Sequence, residues 1–442
     1  MDAVRSSPLV FKGTFVLMGM SALAPLCVTA NSNTLVNSSE YFRDAFAETP
    51  ALASGFSSGL IAVFNATSVI FGVVAALSGS QGNINLARRS LHALLLLCVA
   101  IAMGLVSVII RPTGSVDKPY LYYLLLLLFS AVLALGMAVF QSATMALCVQ
   151  IDRNGDLVSL VLTGQAVQGV ASSLAALVGV LSASSPTTVS KSENQRAAVV
   201  LFSSTLALLV VTYGLMRSHL RVEHHAGAVK AHTITDALHR IWQVQQQLWV
   251  YSAAVLLIFG LTLTVYPSLT SLVRPTSGMQ TSVFVALQYV AFNVGDLTGR
   301  RIAATSRFFH MGKRTVLIFA LLRLAFIPLL CSANAVRSNG TALRCRVCAG
   351  TLPDAAFIAA VFALGLTTGW GAACTMVDGP KSVSHRVGDD VGAADDEAEA
   401  EGLLDTPAAQ TDEDASIAAM LLTLQLVTGL TLGSLSSLSL VM

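Results

Sequence analysis

The chain has 442 residues, 54% of them hydrophobic and 11% charged, with a formal net charge of +2. So much apolar sequence excludes an ordinary soluble domain and makes lipid the solvent to reason with. The small net charge singles out no partner, and the seven cysteines are scattered, with no quartet at zinc-site spacing.

A membrane-crossing helix needs about 20 predominantly apolar residues. In chain order, eleven stretches qualify: 10–30, 54–77, 89–110, 120–149, 157–182, 197–216, 248–266, 280–300, 315–333, 354–377 and 416–440. The first has no small-residue cleavage site after a short apolar core, so it reads as a span rather than a signal peptide. The fourth is too long for one upright crossing and predicts a tilted helix or one that runs past the bilayer. Pro25 in the first span, Pro267 at the end of the seventh and Pro328 in the ninth predict kinks. Gly164-Gln165 and Gln168-Gly169 in the fifth predict close helix contact, with the amides bridging neighbours.

Basic residues give the orientation. With the N-terminus inside, most of the 26 Lys and Arg fall on inside segments, among them Arg88, Arg89, Arg153, Arg217, Arg301, Lys313, Arg314 and Lys381. An odd number of spans then leaves the C-terminus outside. Two glycosylation sequons, at Asn37 and Asn339, fall on outside loops, whereas a third, at Asn65, lies within a span. Two inside segments are polar. Residues 217–247 carry His219, His224, His225, His232 and His239, whose irregular spacing favours a solvated linker ending in an amphipathic helix over a metal tract. Residues 384–415, rich in Asp, Glu, Ala and Gly, read as disordered. Within them, Glu399 to Leu403-Leu404 fits an acidic dileucine sorting signal.

The eighth span ends in Phe292-Asn293-Val294-Gly295-Asp296-Leu297-Thr298-Gly299-Arg300. A carboxylate at the centre of a membrane helix costs roughly 2.5 kcal/mol or more, so a chain that keeps one there pairs it or uses it. Asp296 and Arg300 are four apart and share one helical face. Two readings follow: an ion pair that locks this helix to a neighbour, or a polar site in a membrane cavity. Arg323, in the ninth span, is read as pairing with a backbone carbonyl or snorkelling to an interface. No Ser-His-Asp set, HExxH, P-loop or pair of intramembrane carboxylates is present, so no enzyme class is indicated. Cys345 and Cys348 form a CxxC on an outside loop, without thioredoxin context; a disulfide between them, or from either to Cys331, is allowed.

Several fragments, in order, resemble one family. They are Phe140-Gln141-Ser142, Gly164-Gln165 with Gly169, Leu263 to Thr270, Phe292-Asn293 with Asp296 and Gly299-Arg300, Arg323 to Leu330, and Gly379 to Val383. Together, over nearly the whole chain, they resemble the equilibrative nucleoside transporters. The resemblance implies an all-α integral membrane protein, with eleven helices in a six-plus-five pseudo-symmetric, major-facilitator-like bundle. Residues 1–216 form one half, 217–247 a cytoplasmic linker and 248–442 the other half. It implies a facilitative carrier of nucleosides working by alternating access, with no cofactor, no metal and no nucleic-acid partner. Gln141 would contact the nucleobase, for which an amide supplies both donor and acceptor. Asp296 and Arg300 would contact the ribose, accepting from and donating to its hydroxyls. Asn293 would line the same cavity.

Two departures bear on substrate range. The family's first helix reads Pro-Trp-Asn where this chain has Pro25-Leu26-Cys27, so Leu26 stands where a Trp would pack on the substrate. Asn31 or Asn33, a turn or so later, would then supply the polarity. Thr368-Gly369 stands where the family often has Asn-Gly. The competing readings are a proton-coupled carrier of nucleosides or nucleobases, a sugar carrier, and a receptor or scaffold without transport. The short N-terminal segment favours the plasma membrane; the dileucine favours a vacuolar or lysosomal one.

The sidedness makes a direct prediction: in a glycosylating host, sugar is added at Asn37 or Asn339 and never at Asn65. Glycan mapped to Asn65, or protease access to residues 384–415 from the outer face, would overturn the orientation.

Overall fold

The computed structural model describes residues 8–29, 46, 49–79, 85–110, 118–182, 191–219, 233–305, 311–333, 335–336, 342–343, 352–391 and 407–441. Twelve helices organise them: α1 (Pro8–Thr29), α2 (Pro50–Gly79), α3 (Leu86–Ile110), α4 (Pro119–Ile151), α5 (Asp156–Ser182), α6 (Lys191–His219), α7 (Ile234–Val265), α8 (Thr281–Thr305), α9 (Lys313–Leu322), α10 (Phe326–Cys331), α11 (Asp354–Val391) and α12 (Pro407–Val441). One short hairpin, β1 (Ala335–Val336) with β2 (Ala342–Leu343), pairs Ala335 with Leu343. Each of the eleven stretches picked out by hydropathy coincides with helix, α9 and α10 together forming the ninth.

Among the described residues, nine helical segments are long and apolar enough to cross a membrane, the α9–α10 segment counted as one. The apolar part of α1, Leu9–Pro25, is shorter. Helix α8 is long enough at 25 residues, but carries Gln288, Asn293, Asp296, Arg300 and Arg301. The helix least suited to lipid is thus the one with most to hide, and it is buried on several sides. Helices facing outward show the opposite pattern. On α3, Leu95, Val99, Met103, Val106 and Ile110 are exposed at helical spacing, while Leu94, Leu97, Ile101 and Val108 are buried.

Helix order in space follows a repeat. Helix α1 packs on α5, and α7 on α12; α2 packs on α4, and α8 on α11. Contacts across the middle repeat too, α5 against α8 and α12 against α2, with α12 also on α4. Small residues make the tightest of these contacts. On α8, Gly295 and Gly299 face the carbonyls of Phe362 and Leu366; on α11, Gly365 and Gly369 face those of Phe292 and Asp296. A Cβ at any of the four would sit 2.0–2.3 Å from a backbone oxygen. Two small-xxx-small steps, one on each helix, bring the two backbones into contact.

Three details differ from the sequence reading or sharpen it. Helix α7 begins at Ile234, well before residue 248, because Thr233 and Asp236 form a capping box. The extension buries Ala237 and Val244, and Arg240 pairs with Glu413 at 2.5 Å and Asp414 at 2.7 Å on α12. The amphipathic end expected of residues 217–247 is therefore continuous with the seventh span. The kink expected from Pro328 appears one turn earlier, as a 3-10 turn over Arg323–Ala325 between α9 and α10. A proline ring clashes with the carbonyl four residues back, here that of Leu324. Helical backbone also enters both ends of the acidic stretch 384–415, α11 running to Val391 and α12 starting at Pro407.

Arg323 is 2% exposed. It does not snorkel. Its guanidinium donates to the Ile258 carbonyl (3.0 Å), to the Thr262 hydroxyl (3.0 Å), to the Thr367 and Thr368 hydroxyls (3.3 and 2.6 Å) and to the Leu364 carbonyl (3.4 Å). One buried cation so ties α7 and α11 to the break between α9 and α10. The carbonyl pairing expected from the sequence is present, with hydroxyls added that the sequence did not single out.

The α8–α11 contact is testable. Gly299→Ala places a methyl about 2 Å from the Leu366 carbonyl, and overpacking of this kind costs ~1–3 kcal/mol. We expect a lower melting temperature and less monodisperse protein in detergent. Gly214→Ala, in α6 with nothing within 4 Å of the added carbon, should be neutral or slightly stabilising.

Candidate functional site

The eighth-span residues singled out from sequence sit where α5, α8 and α11 meet. Arg300 Nε donates to Asp296 Oδ2 at 2.9 Å, as the four-residue spacing predicts. Both residues are buried, at 6% and 7% exposure. Arg300 then crosses to another helix: Nη1 donates to the Leu162 carbonyl (3.0 Å) and to Gln165 Oε1 (3.3 Å) on α5. Gln165 thus does bridge helices, as its position between small residues suggested.

The second carboxylate oxygen is the informative atom. Asp296 Oδ1 is buried and finds no donor among the described residues. A buried acceptor left open costs roughly 1–3 kcal/mol. Such an atom requires an explanation, and a ligand donor is one.

Around the pair the surroundings are mixed polar and aromatic. Asn293, one turn before, donates from Nδ2 to the Tyr289 carbonyl at 2.9 Å. Its Oδ1 lies over Gly169 on α5, so close that a Cβ there would be 2.5 Å away. The glycine beside Gln168 is what admits the asparagine. Tyr266, the last residue before Pro267, stacks on Phe292 with centroids 3.9 Å apart and planes at 15°, and Tyr289 meets Tyr266 edge-on at 5.6 Å. Gln288, 1% exposed, has neither amide atom paired among the described residues. Gln288, Phe292 and Asp296 recur at four-residue steps along one side of α8.

Sequence reasoning did not assign roles to Tyr266, Gln288 or Tyr289. The signal for Gln288 was available: an amide two turns before an intramembrane carboxylate. The aromatic pair was not foreseeable, because Tyr266 and Phe292 belong to different helices.

The remaining candidates lie elsewhere. Gln141 is half-buried on α4, and its amide makes no hydrogen bond among the described residues. Thr144, one turn on, has a buried hydroxyl that is also unpaired there. Nothing joins Gln141 directly to Asp296 or Arg300 by a hydrogen bond. Leu26 lies within α1, but its side chain is outside the described residues. So are Asn31, Asn33, Asn37, Asn339, Cys345, Cys348, Leu403 and Leu404. Asn65 is described, and its amide donates to the Ser434 hydroxyl at 3.0 Å within the bundle. The Thr368 hydroxyl accepts from Arg323 (2.6 Å) and donates to the Leu364 carbonyl (2.7 Å). Among the described residues no group of His, Cys, Asp and Glu is arranged to hold a metal ion; His224, His225 and His232 lie outside them.

Residues 221–393 match the family described as Nucleoside transporter. That range holds α7 to α11, and with them Asp296, Arg300, Arg323 and Tyr266. No curated protein matches the chain. Among solved structures, the chain is similar to the Major Facilitator Superfamily transporter FucP in its outward conformation, at 14% identity and a TM-score of 0.55, covering 97% of this chain and 98% of that one. It is also similar to the fucose:proton symporter FucP of E. coli, at 12% identity and a TM-score of 0.58, covering 99% and 98%. At such identities the likeness is one of fold. The chain therefore has major-facilitator architecture, with helices long and apolar enough to cross a membrane several times, and its residues 221–393 match the nucleoside transporter family.

Proposed function

We propose that the protein moves nucleosides across a membrane by facilitated, alternating access. Eleven spans form two halves, residues 1–216 and 248–442, joined by the linker 217–247, with the basic end of the bundle facing the cytoplasm. The paired contacts α1–α5 and α7–α12, and α2–α4 and α8–α11, support such a repeat. Asp296 and Arg300 hold the ribose, Gln141 reads the base, and Asn293 and Leu26 line the path. The protein sits in the plasma membrane, or in a vacuolar or lysosomal membrane if the dileucine is read.

The observation that carries this reading is Asp296 Oδ1, a buried acceptor beside a guanidinium and open toward a donor. Vicinal sugar hydroxyls supply donors that such a carboxylate lacks, and they also accept from arginine. A purely structural ion pair would be expected to satisfy both carboxylate oxygens from protein.

The test compares sugars. Wild type should lose affinity for 2′,3′-dideoxynucleosides, because the carboxylate is left without its donors. Asp296→Asn should discriminate far less between the two sugars. Removing one partner of a buried pair costs about 3–5 kcal/mol, so folded protein must be quantified alongside transport. Equal handling of both sugars by wild type, or normal ribonucleoside transport by the variant, would make the pair structural.

Gln141→Leu should weaken binding in a base-dependent way, by the ~0.5–1.5 kcal/mol of a lost hydrogen bond, or up to about tenfold in apparent KM. A uniform fall in yield and in transport of every base would instead assign Gln141 to helix packing.

A further inference from the structure

At the end of the bundle where α3 begins, a cavity of about 610 Å³ opens between α2, α3 and α4. Its polar wall is Ser78, Asn85, Arg88, Arg89 and His92; its apolar wall is Leu96, Leu135 and Val139. The two walls are separated along the helix axes, cations at the end of the bundle and hydrocarbon deeper in. Arg88 and His92 are exposed and stand on the same face of α3 as Leu95 and Val99, which are also exposed. That face looks outward from the bundle, so the cavity opens on the perimeter, not toward α8. Arg89 points the other way in character: its Nη1 is buried and finds no acceptor among the described residues. Arg88 and Arg89 add two positive charges, and among the described residues no carboxylate lines the cavity.

We propose that this cavity binds an anionic phospholipid. Its phosphate would accept from Arg89 and Arg88, with His92 and Ser78 beside them, and one acyl chain would lie along Leu96, Leu135 and Val139. The chemistry favours a lipid over a soluble anion on two counts. A buried guanidinium hydrogen that lacks an acceptor calls for a strong one, and phosphate oxygen matches the planar guanidinium fork. A soluble phosphate would leave the apolar wall wet, whereas an acyl chain covers it. Basic pockets between membrane helices at the cytoplasmic level suit lipid headgroups in general, and the basic end of this bundle is the level required. The site stands apart from Asp296 and does not depend on the substrate being a nucleoside.

The experiment uses the full chain in lipid nanodiscs. Native mass spectrometry should detect one retained anionic lipid when phosphatidylserine is mixed with phosphatidylcholine, and the melting temperature should rise relative to phosphatidylcholine alone. Arg88→Gln with Arg89→Gln should abolish both effects, and Leu135→Trp, which fills the apolar wall and keeps the charges, should reduce retention severalfold. A melting profile in phosphatidylcholine alone close to wild type verifies that each variant is folded; if the arginine variant does not fold, Leu135→Trp alone decides. Inorganic phosphate at 10 mM is the comparison arm. Stabilisation by phosphate equal to that by phosphatidylserine, or unchanged lipid retention in the folded variants, would overturn the proposal.

Discussion

A carboxylate inside a membrane helix must be compensated, and the surroundings of α8 are organised by that requirement. Asp296 is held by Arg300 on its own helix, and Arg300 is held in turn by α5. The pair is sealed on another side by α11, whose backbone reaches α8 only because both helices carry glycine where they touch. Behind the pair, Arg323 ties α7 to α11 and keeps that wall in place. Each element answers the same cost. Charge in lipid is tolerated where protein groups replace water around it.

The compensation is incomplete at one oxygen, and Arg300 ties α8 to α5, which belong to different halves in the proposed arrangement. These two observations give the proposed cycle its logic. In this structure Arg300 bonds Leu162 and Gln165 on α5, a contact that would join the proposed halves. A sugar that fills Asp296 Oδ1 and shares Arg300 would compete for the hydrogen bonds that hold the halves together there. Binding and rearrangement would then be coupled through one side chain. Ligand shifts such an equilibrium only by its differential affinity for the two states, and a shared guanidinium is a direct source of that difference.

Much of this was legible in the sequence. The helices were visible, each of the eleven apolar stretches coinciding with helix, and nine segments among the described residues are long and apolar enough to cross a membrane, because apolar runs of about 20 residues have few other uses. The Asp296–Arg300 pair was visible from spacing alone, and Gln165 as a bridging amide from its small neighbours. What was not legible depended on partners far away in the chain. Arg323 left two readings open because nothing local marks Thr262, Thr367 and Thr368 as its acceptors. Tyr266 gains its meaning from stacking on Phe292, a residue of another helix. The continuity of α7 with the amphipathic segment before it was not foreseen, because hydropathy reports the bilayer and not the helix; the capping box at Thr233 was the local signal to use. Gly169 was noted as part of a motif, but its purpose, room for Asn293, needed both helices.

The central claim is transport of nucleosides by this chain alone. The direct measurement is uptake of labelled adenosine and uridine into sealed vesicles containing only the purified protein. The account predicts saturable uptake of at least one of them, stopping at equal concentrations inside and out and unchanged by an imposed pH gradient. Uptake no faster than into protein-free vesicles would contradict the claim of nucleoside transport, and accumulation driven by a pH gradient would contradict facilitation.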